Sequence, residues 1–139
     1  MSKRCVTFEH TADIGLEARA DSLGELFEAL AEGLTDVICV RERVRPTETR
    51  GTVVRAEDVE ALAVDFLSEV RSLLEMQRFL PAAVRVREID DNAVVAEYVG
   101  EPYDLSRHEL RTEVKAVTYH QLKISHEDDG WIGRVILDV

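Results

Sequence analysis

The sequence predicts an α+β domain, a mostly antiparallel sheet layered with two amphipathic helices in a single compact unit spanning residues 1–139. Three observations predict it. Short segments of alternating apolar and polar residues recur along the chain, which is the period of a strand with one wet face. Two longer segments, opening near Ser22 and Asp58, carry apolar residues at helical spacing. Several strand-like segments also follow one another through short turns, and neighbours joined that way pair antiparallel.

The elements run in the order β-β-α-β-α-β-β-β-β. Arg4 to His10 and Ile14 to Ala20 alternate (Val6 and Phe8 against Thr7 and Glu9; Ile14, Leu16 and Ala18), with the break Thr11-Ala12-Asp13 between them. Ser22 followed by Glu25 has the form of a capping box, in which each side chain satisfies a free N–H of the first helical turn. Behind it Leu23, Leu26, Phe27, Leu30, Leu34, Val37 and Ile38 form one stripe. Gly24 and Gly33 cost that helix about 1 kcal/mol each against Ala, which burial of the stripe outweighs. A second helix runs from about Asp58 to Gln77 on Val59, Leu62, Ala63, Phe66, Leu67, Val70, Leu73 and Leu74, and Pro81 stops it from continuing. Strands then follow at Ala83 to Ile89 and Ala93 to Val99, separated by Asp90-Asp91-Asn92, with Gly100 and Pro102 ending the second. Residues 109–125, rich in Val, Thr, Tyr and Ile, read as one long or bent strand or as two. Asp129-Gly130 is a two-residue hairpin signal, and Trp131 to Val139 is the final strand.

Composition narrows the function classes. The 139 residues are 45% hydrophobic, too apolar for a disordered chain despite 32% charged residues. The net charge of −11 sets a field that repels phosphate backbones, so a generic nucleic-acid-binding domain is disfavoured. No apolar run approaches the ~18–20 residues of a spanning helix. The basic start MSKR turns acidic before an apolar signal-peptide core can form, so the expected location is the cytoplasm. Cys5 and Cys39 sit in apolar stretches without metal-ligand or disulfide-framework spacing and read as buried thiols. Residues 41–55 run against the acidic trend, with five Arg and two Glu. They are either a solvated hairpin or loop, or a docking patch for an acidic partner or RNA phosphates.

Nucleotide-binding glycine loops, a nucleophile elbow and a zinc-protease motif are all absent from the sequence. Three places could carry chemistry. His10 and Asp13 flank a strand break; Asp13 is a turn residue, or the two face one cavity. Asp138-Val139 brings a side-chain and a terminal carboxylate together in a segment that Trp131, Ile132, Val135, Ile136 and Leu137 pull into the core. If Asp13 joins them, three carboxylates converge, and their repulsion raises pKa values or recruits a hard cation such as calcium, magnesium or manganese. Lys115, in the strand-like KAVTYH run, is either a surface lysine or a cation set against a carboxylate site.

The runs HTADIG (10–15), GEPYD (100–104), KAVTYH (115–120) and the tail WIGRVILDV together resemble the archease family, and the similarity runs end to end. The resemblance implies an accessory protein rather than an enzyme, one that acts with the GTP-dependent RNA ligase of tRNA splicing or RNA repair. It promotes guanylylation of that ligase and multiple turnover, and meets RNA only through it. The resemblance also implies a divalent metal site, calcium foremost, built by Asp13, Asp138 and an oxygen of Val139. It assigns no role to His10, Lys115 or residues 41–55. Two other readings compete: a general RNA-enzyme chaperone or modulator, supported by the arginine-rich segment, and a metal-dependent hydrolase using His10 as base.

Overall fold

The computed structural model describes residues 3–10 and 13–139. Its elements are β1 (Arg4–His10), β2 (Asp13–Ala20), α1 (Leu23–Ile38), a 3-10 turn (Arg41–Arg43), β3 (Glu48–Arg55), α2 (Val59–Gln77), β4 (Phe79–Ile89), β5 (Ala93–Pro102), β6 (Ala116–Glu127) and β7 (Gly130–Asp138). This is the order and class that the sequence predicts.

The strands form two antiparallel sheets rather than one. Four strands lie in the order β1-β2-β7-β6 and three in the order β3-β5-β4. The helices serve both sheets: α1 rests on β2 and β7 and runs along β4, and α2 packs on β6 and against β3, β4 and β5. One core joins them, with Leu16, Phe27, Leu30, Leu62, Phe66, Tyr98 and Leu137 all essentially inaccessible. The second sheet cannot extend the first through β4, because α1 occupies that edge. Glu32 accepts from the backbone N–H of Val84 at 3.1 Å and Glu28 from that of Val86 at 2.8 Å. Carboxylates thus satisfy the donors that another strand would otherwise take, a direct way of closing a sheet edge.

Both helices start where the sequence places them, but the Glu25 carboxylate takes the Ser22 hydroxyl rather than the Ser22 backbone N–H, so only half of the expected box forms. Ser22 accepts from the Glu25 N–H at 3.1 Å while its hydroxyl donates to the Glu25 carboxylate at 3.0 Å. Asp58 accepts from the Ala61 N–H at 2.8 Å. Gly33, a propensity cost within α1, is explained by packing, since a Cβ there would overlap the Cys5 sulfur on β1. Cys39 is fully buried and Cys5 half-buried, and burial pushes their thiols up to about 11 and about 12 respectively.

The boundaries differ in four places, each for a local reason. α2 ends at Gln77 because Arg78 adopts a left-handed conformation (φ 52°) and its N–H caps the last carbonyls, so Pro81 lies inside β4 and not at a helix stop. β4 accommodates that proline beside a register shift between Pro81 and Ala83. β5 continues through Gly100 to Pro102 because Pro102 pairs with Phe79 at the end of the ladder, where a missing donor costs little. Residues 111–115 are extended but unladdered, as their N–H groups at Arg111 and Thr112 go to the carbonyls of Ile38 and Val37 at the end of α1. The last hairpin turns on Asp128 and Asp129, one residue earlier than the Asp-Gly signal, and Gly130 (φ 150°) pairs with Glu127.

The arginine-rich segment is a 3-10 turn followed by β3, one of the two edge strands of the smaller sheet, rather than a loop. Arg41 bonds Asp36 at 2.9 Å and the Ala82 carbonyl at 2.8 Å. Arg50 reaches Gln77 at 3.1 Å and lies over the Phe79 ring. No helix of the described residues is long and apolar enough to cross a membrane.

Candidate functional site: a carboxylate pair at the end of the larger sheet

The two ends of the chain meet in the larger sheet. β7 runs antiparallel to β2, and in that register Asp13 is the direct partner of Asp138. Ile14 opposite Leu137, Leu16 opposite Val135 and Ala18 opposite Gly133 point to the helices. The alternation of a strand then sends Asp13 and Asp138 to the outer face, where directly opposed residues hold their Cβ atoms about 4.5–5.5 Å apart. Asp13 is partly exposed and Asp138 exposed. β1 and β6 extend the row on either side: His10 pairs with Asp13, and Ala116 pairs with Asp138. The His10 side chain and residues 11 and 12 lie outside the described residues, so the reading of His10 as a partner or base rests on the sequence.

The neighbouring residues explain the local sequence. Gly15 follows Asp13 on the outer face, opposite Phe8. A Cβ at Gly15 would run into the Phe8 ring, so glycine lets that ring lie flat across β2. Arg134 stacks over the ring at 4.2 Å and pairs with Glu17 at 3.6 Å. The carboxylates therefore sit at the open end of a face whose next row is apolar and whose nearest described ion pair is already closed. Lys115 is placed beside them by its backbone, its N–H donating to the Asp138 carbonyl at 2.7 Å.

Like charges placed directly opposite in a ladder are destabilising unless something offsets them. The donors that Asp13, Asp138 and Val139 can present are all oxygens, and a hard divalent cation suits such a set. Among the described residues no three His, Cys, Asp or Glu side chains gather as a metal-binding group, so any such site depends on this pair together with backbone or terminal oxygens.

The KAVTYH run contributes a feature its composition hides. Between Thr118 opposite Ile136 and Lys123 opposite Arg134, four residues of β6 face one of β7. Tyr119 is 59% exposed on this bulge, and Gln121 takes a left-handed φ of 54° that few residues other than glycine adopt. GEPYD contains a second unexpected assembly. Glu101, only 5% exposed, accepts from Arg107 at 2.6 Å, from the Arg45 N–H at 2.8 Å and from Nε2 of His108 at 2.7 Å. Nδ1 of His108 accepts from the Asp104 N–H at 2.9 Å, which fixes the proton on Nε2. The Arg107 hydrogen bond, helped by those from Arg45 and His108, holds the Glu101 carboxyl down at about 2 against the cost of burial. This clamp ties β5 to the loop that leads on to Lys115, and no spacing rule in the sequence signals it.

A family model described as "Archease protein family (MTH1598/TM1083)" matches residues 6–139. The chain belongs to the archease family. It is 40% identical to protein archease of Thermococcus gammatolerans over 99% of both chains, and 35% identical to that of Methanosarcina barkeri over 94% of this chain and 92% of the other. Among solved structures, it superposes on protein 1598 of Methanobacterium thermoautotrophicum with a TM-score of 0.78 at 32% identity, covering 99% of each. An archease of Thermotoga maritima described as a possible chaperone gives 0.60 at 26% identity, covering 95% of this chain and 94% of that one. The matched residues take in both sheets and both helices.

Proposed function

We propose that the protein is an accessory activator of a GTP-dependent RNA ligase, presenting its Asp13–Asp138 edge to the ligase and promoting guanylylation and turnover there. The observation that carries this reading is the direct opposition of Asp13 and Asp138. The partner class is what the sequence resemblance implies, and the −11 charge favours a protein partner over bare RNA, which on this reading the protein reaches only through the ligase.

Asp13, Asp138 and an oxygen of Val139 would hold a divalent cation, calcium first and magnesium or manganese as substitutes. When bound, the ion supplies charge neutralisation and Lewis acidity at the sheet end. The chain's own part is positional. β2 and β7 fix the two carboxylates in register, and the Lys115–Asp138 hydrogen bond steadies the strand end.

The test is the rate at which purified ligase becomes guanylylated, with the wild-type protein and with Asp13→Ala or Asp138→Ala. Loss of acceleration in both variants, with unchanged folding, is the expected result. Full acceleration by both variants refutes the carboxylate-edge reading.

A further inference from the structure

A cleft of about 590 Å³ lies between the ends of the two helices and the extended residues 110–115. One side is formed by Arg71 and Leu74 of α2 with the capping Arg78; the other carries Leu110, Arg111 and Lys115. Ile38 and Val114 also line it, and Glu75 and Glu113 are its two acidic residues. In a chain with eleven surplus negative charges this cleft is locally positive.

The cations are unevenly committed. Arg71 pairs with Glu75 at 3.1 Å and also reaches the Val114 carbonyl. Arg111 donates to the Asp36 carbonyl at 3.2 Å but has no carboxylate partner among the described residues. Arg78 and Lys115 likewise form no ion pair among the described residues. Main-chain N–H groups of Arg78, Arg111 and Thr112 already bond carbonyls at the helix ends, and of these side chains only Arg111 adds one, to Asp36.

We infer that this cleft binds an acidic peptide segment of a partner protein, anchored by an aliphatic side chain. Charge complementarity selects an anion. The spread of the cations selects an extended one, since Arg71 lies on the last turns of α2, Arg78 at its cap, and Arg111 and Lys115 on the facing segment. The apolar lining is aliphatic, with Leu74, Leu110 (44% exposed) and Val114 offering no ring on which a base could stack. Single-stranded nucleic acid is held by aromatic stacking in a positive groove, so a peptide fits these walls better than an RNA strand does. On an otherwise acidic chain, its surplus of cations draws an acidic segment towards it.

The inference does not depend on the ligase reading or on the carboxylate edge, and its test uses neither. A short capped peptide carrying glutamates and leucines is titrated into the full chain and followed by backbone amide shifts, with oligouridylate as the comparison. Saturable shifts at residues 71–78 and 110–115 are expected, with affinity falling about tenfold or more in the Arg78→Asn/Arg111→Gln variant. Asn is chosen at position 78 because it tolerates the left-handed backbone there. Absence of saturable shifts, or tighter binding of oligouridylate to the same residues, overturns the proposal.

Discussion

Nε2 of His108, in a loop with no regular secondary structure to hold it, lies 2.7 Å from Oε2 of Glu101 on β5, and both side chains are buried. The pair therefore does for the 103–110 loop what a ladder does for a strand, and the depressed Glu101 carboxyl makes its contribution depend on pH. Its folded value of about 2 lies below the ordinary 4.5. The stabilisation is complete above the unfolded value and is lost as pH falls from 4.5 towards 2. Urea midpoints measured across that range should decline in the wild type. Glu101→Gln should be less stable at neutral pH and show a shallower acid decline. Parallel acid limbs in the two proteins would contradict the assignment.

Gly33 gives a second expectation. In an isolated helix Gly→Ala is stabilising by about 1 kcal/mol, but here the added methyl meets the Cys5 sulfur. Gly33→Ala should therefore destabilise the protein by about 1–3 kcal/mol, as overpacking does. In a Cys5→Ala background most of that cost should vanish. Equal costs in both backgrounds, read by urea unfolding as a double-mutant cycle, would show that α1 and β1 do not meet as described.

The closed edge of β4 can be reopened. Glu28→Ala/Glu32→Ala leaves the N–H groups of Val84 and Val86 without their acceptors and frees Lys3, which pairs with both glutamates at 3.0 and 3.5 Å. Each donor left without its acceptor costs up to about 1–3 kcal/mol where water does not replace it. The exposed edge should also promote self-association, visible as concentration-dependent sedimentation. A variant as stable and as monodisperse as the wild type would mean that these carboxylates do not close the sheet.

How far the sequence carries the fold depends on the range of the interaction. Ser22, Asp58 and the apolar stripes act within a few residues, and both helices begin within a residue of where those signals put them. The division into two sheets depends on Glu28 and Glu32 reaching β4 across the fold, which no local pattern encodes. Residues 111–115 have strand composition, yet they form no ladder: the N–H groups of Arg111 and Thr112 go to the end of α1 and that of Lys115 to the Asp138 carbonyl. At the site, Asp13 and Asp138 are visible as residue types at two strand ends; their direct opposition follows only once β7 is registered against β2. Glu101 and His108 are invisible in sequence because a buried Glu–His pair has no spacing rule, and the Tyr119–Gln121 bulge is masked by β-favouring composition.

The central claim is that the opposed aspartates form a divalent-cation site, and paramagnetic broadening by substoichiometric Mn²⁺ tests it most directly. The amides of Ile14, Ala116, Leu137 and Val139 should broaden first in the wild type. In Asp13→Asn/Asp138→Asn that broadening should disappear while the spectrum otherwise stays native. Broadening centred instead on the acidic hairpin at Glu127–Asp129, and unchanged in the double variant, would contradict the account.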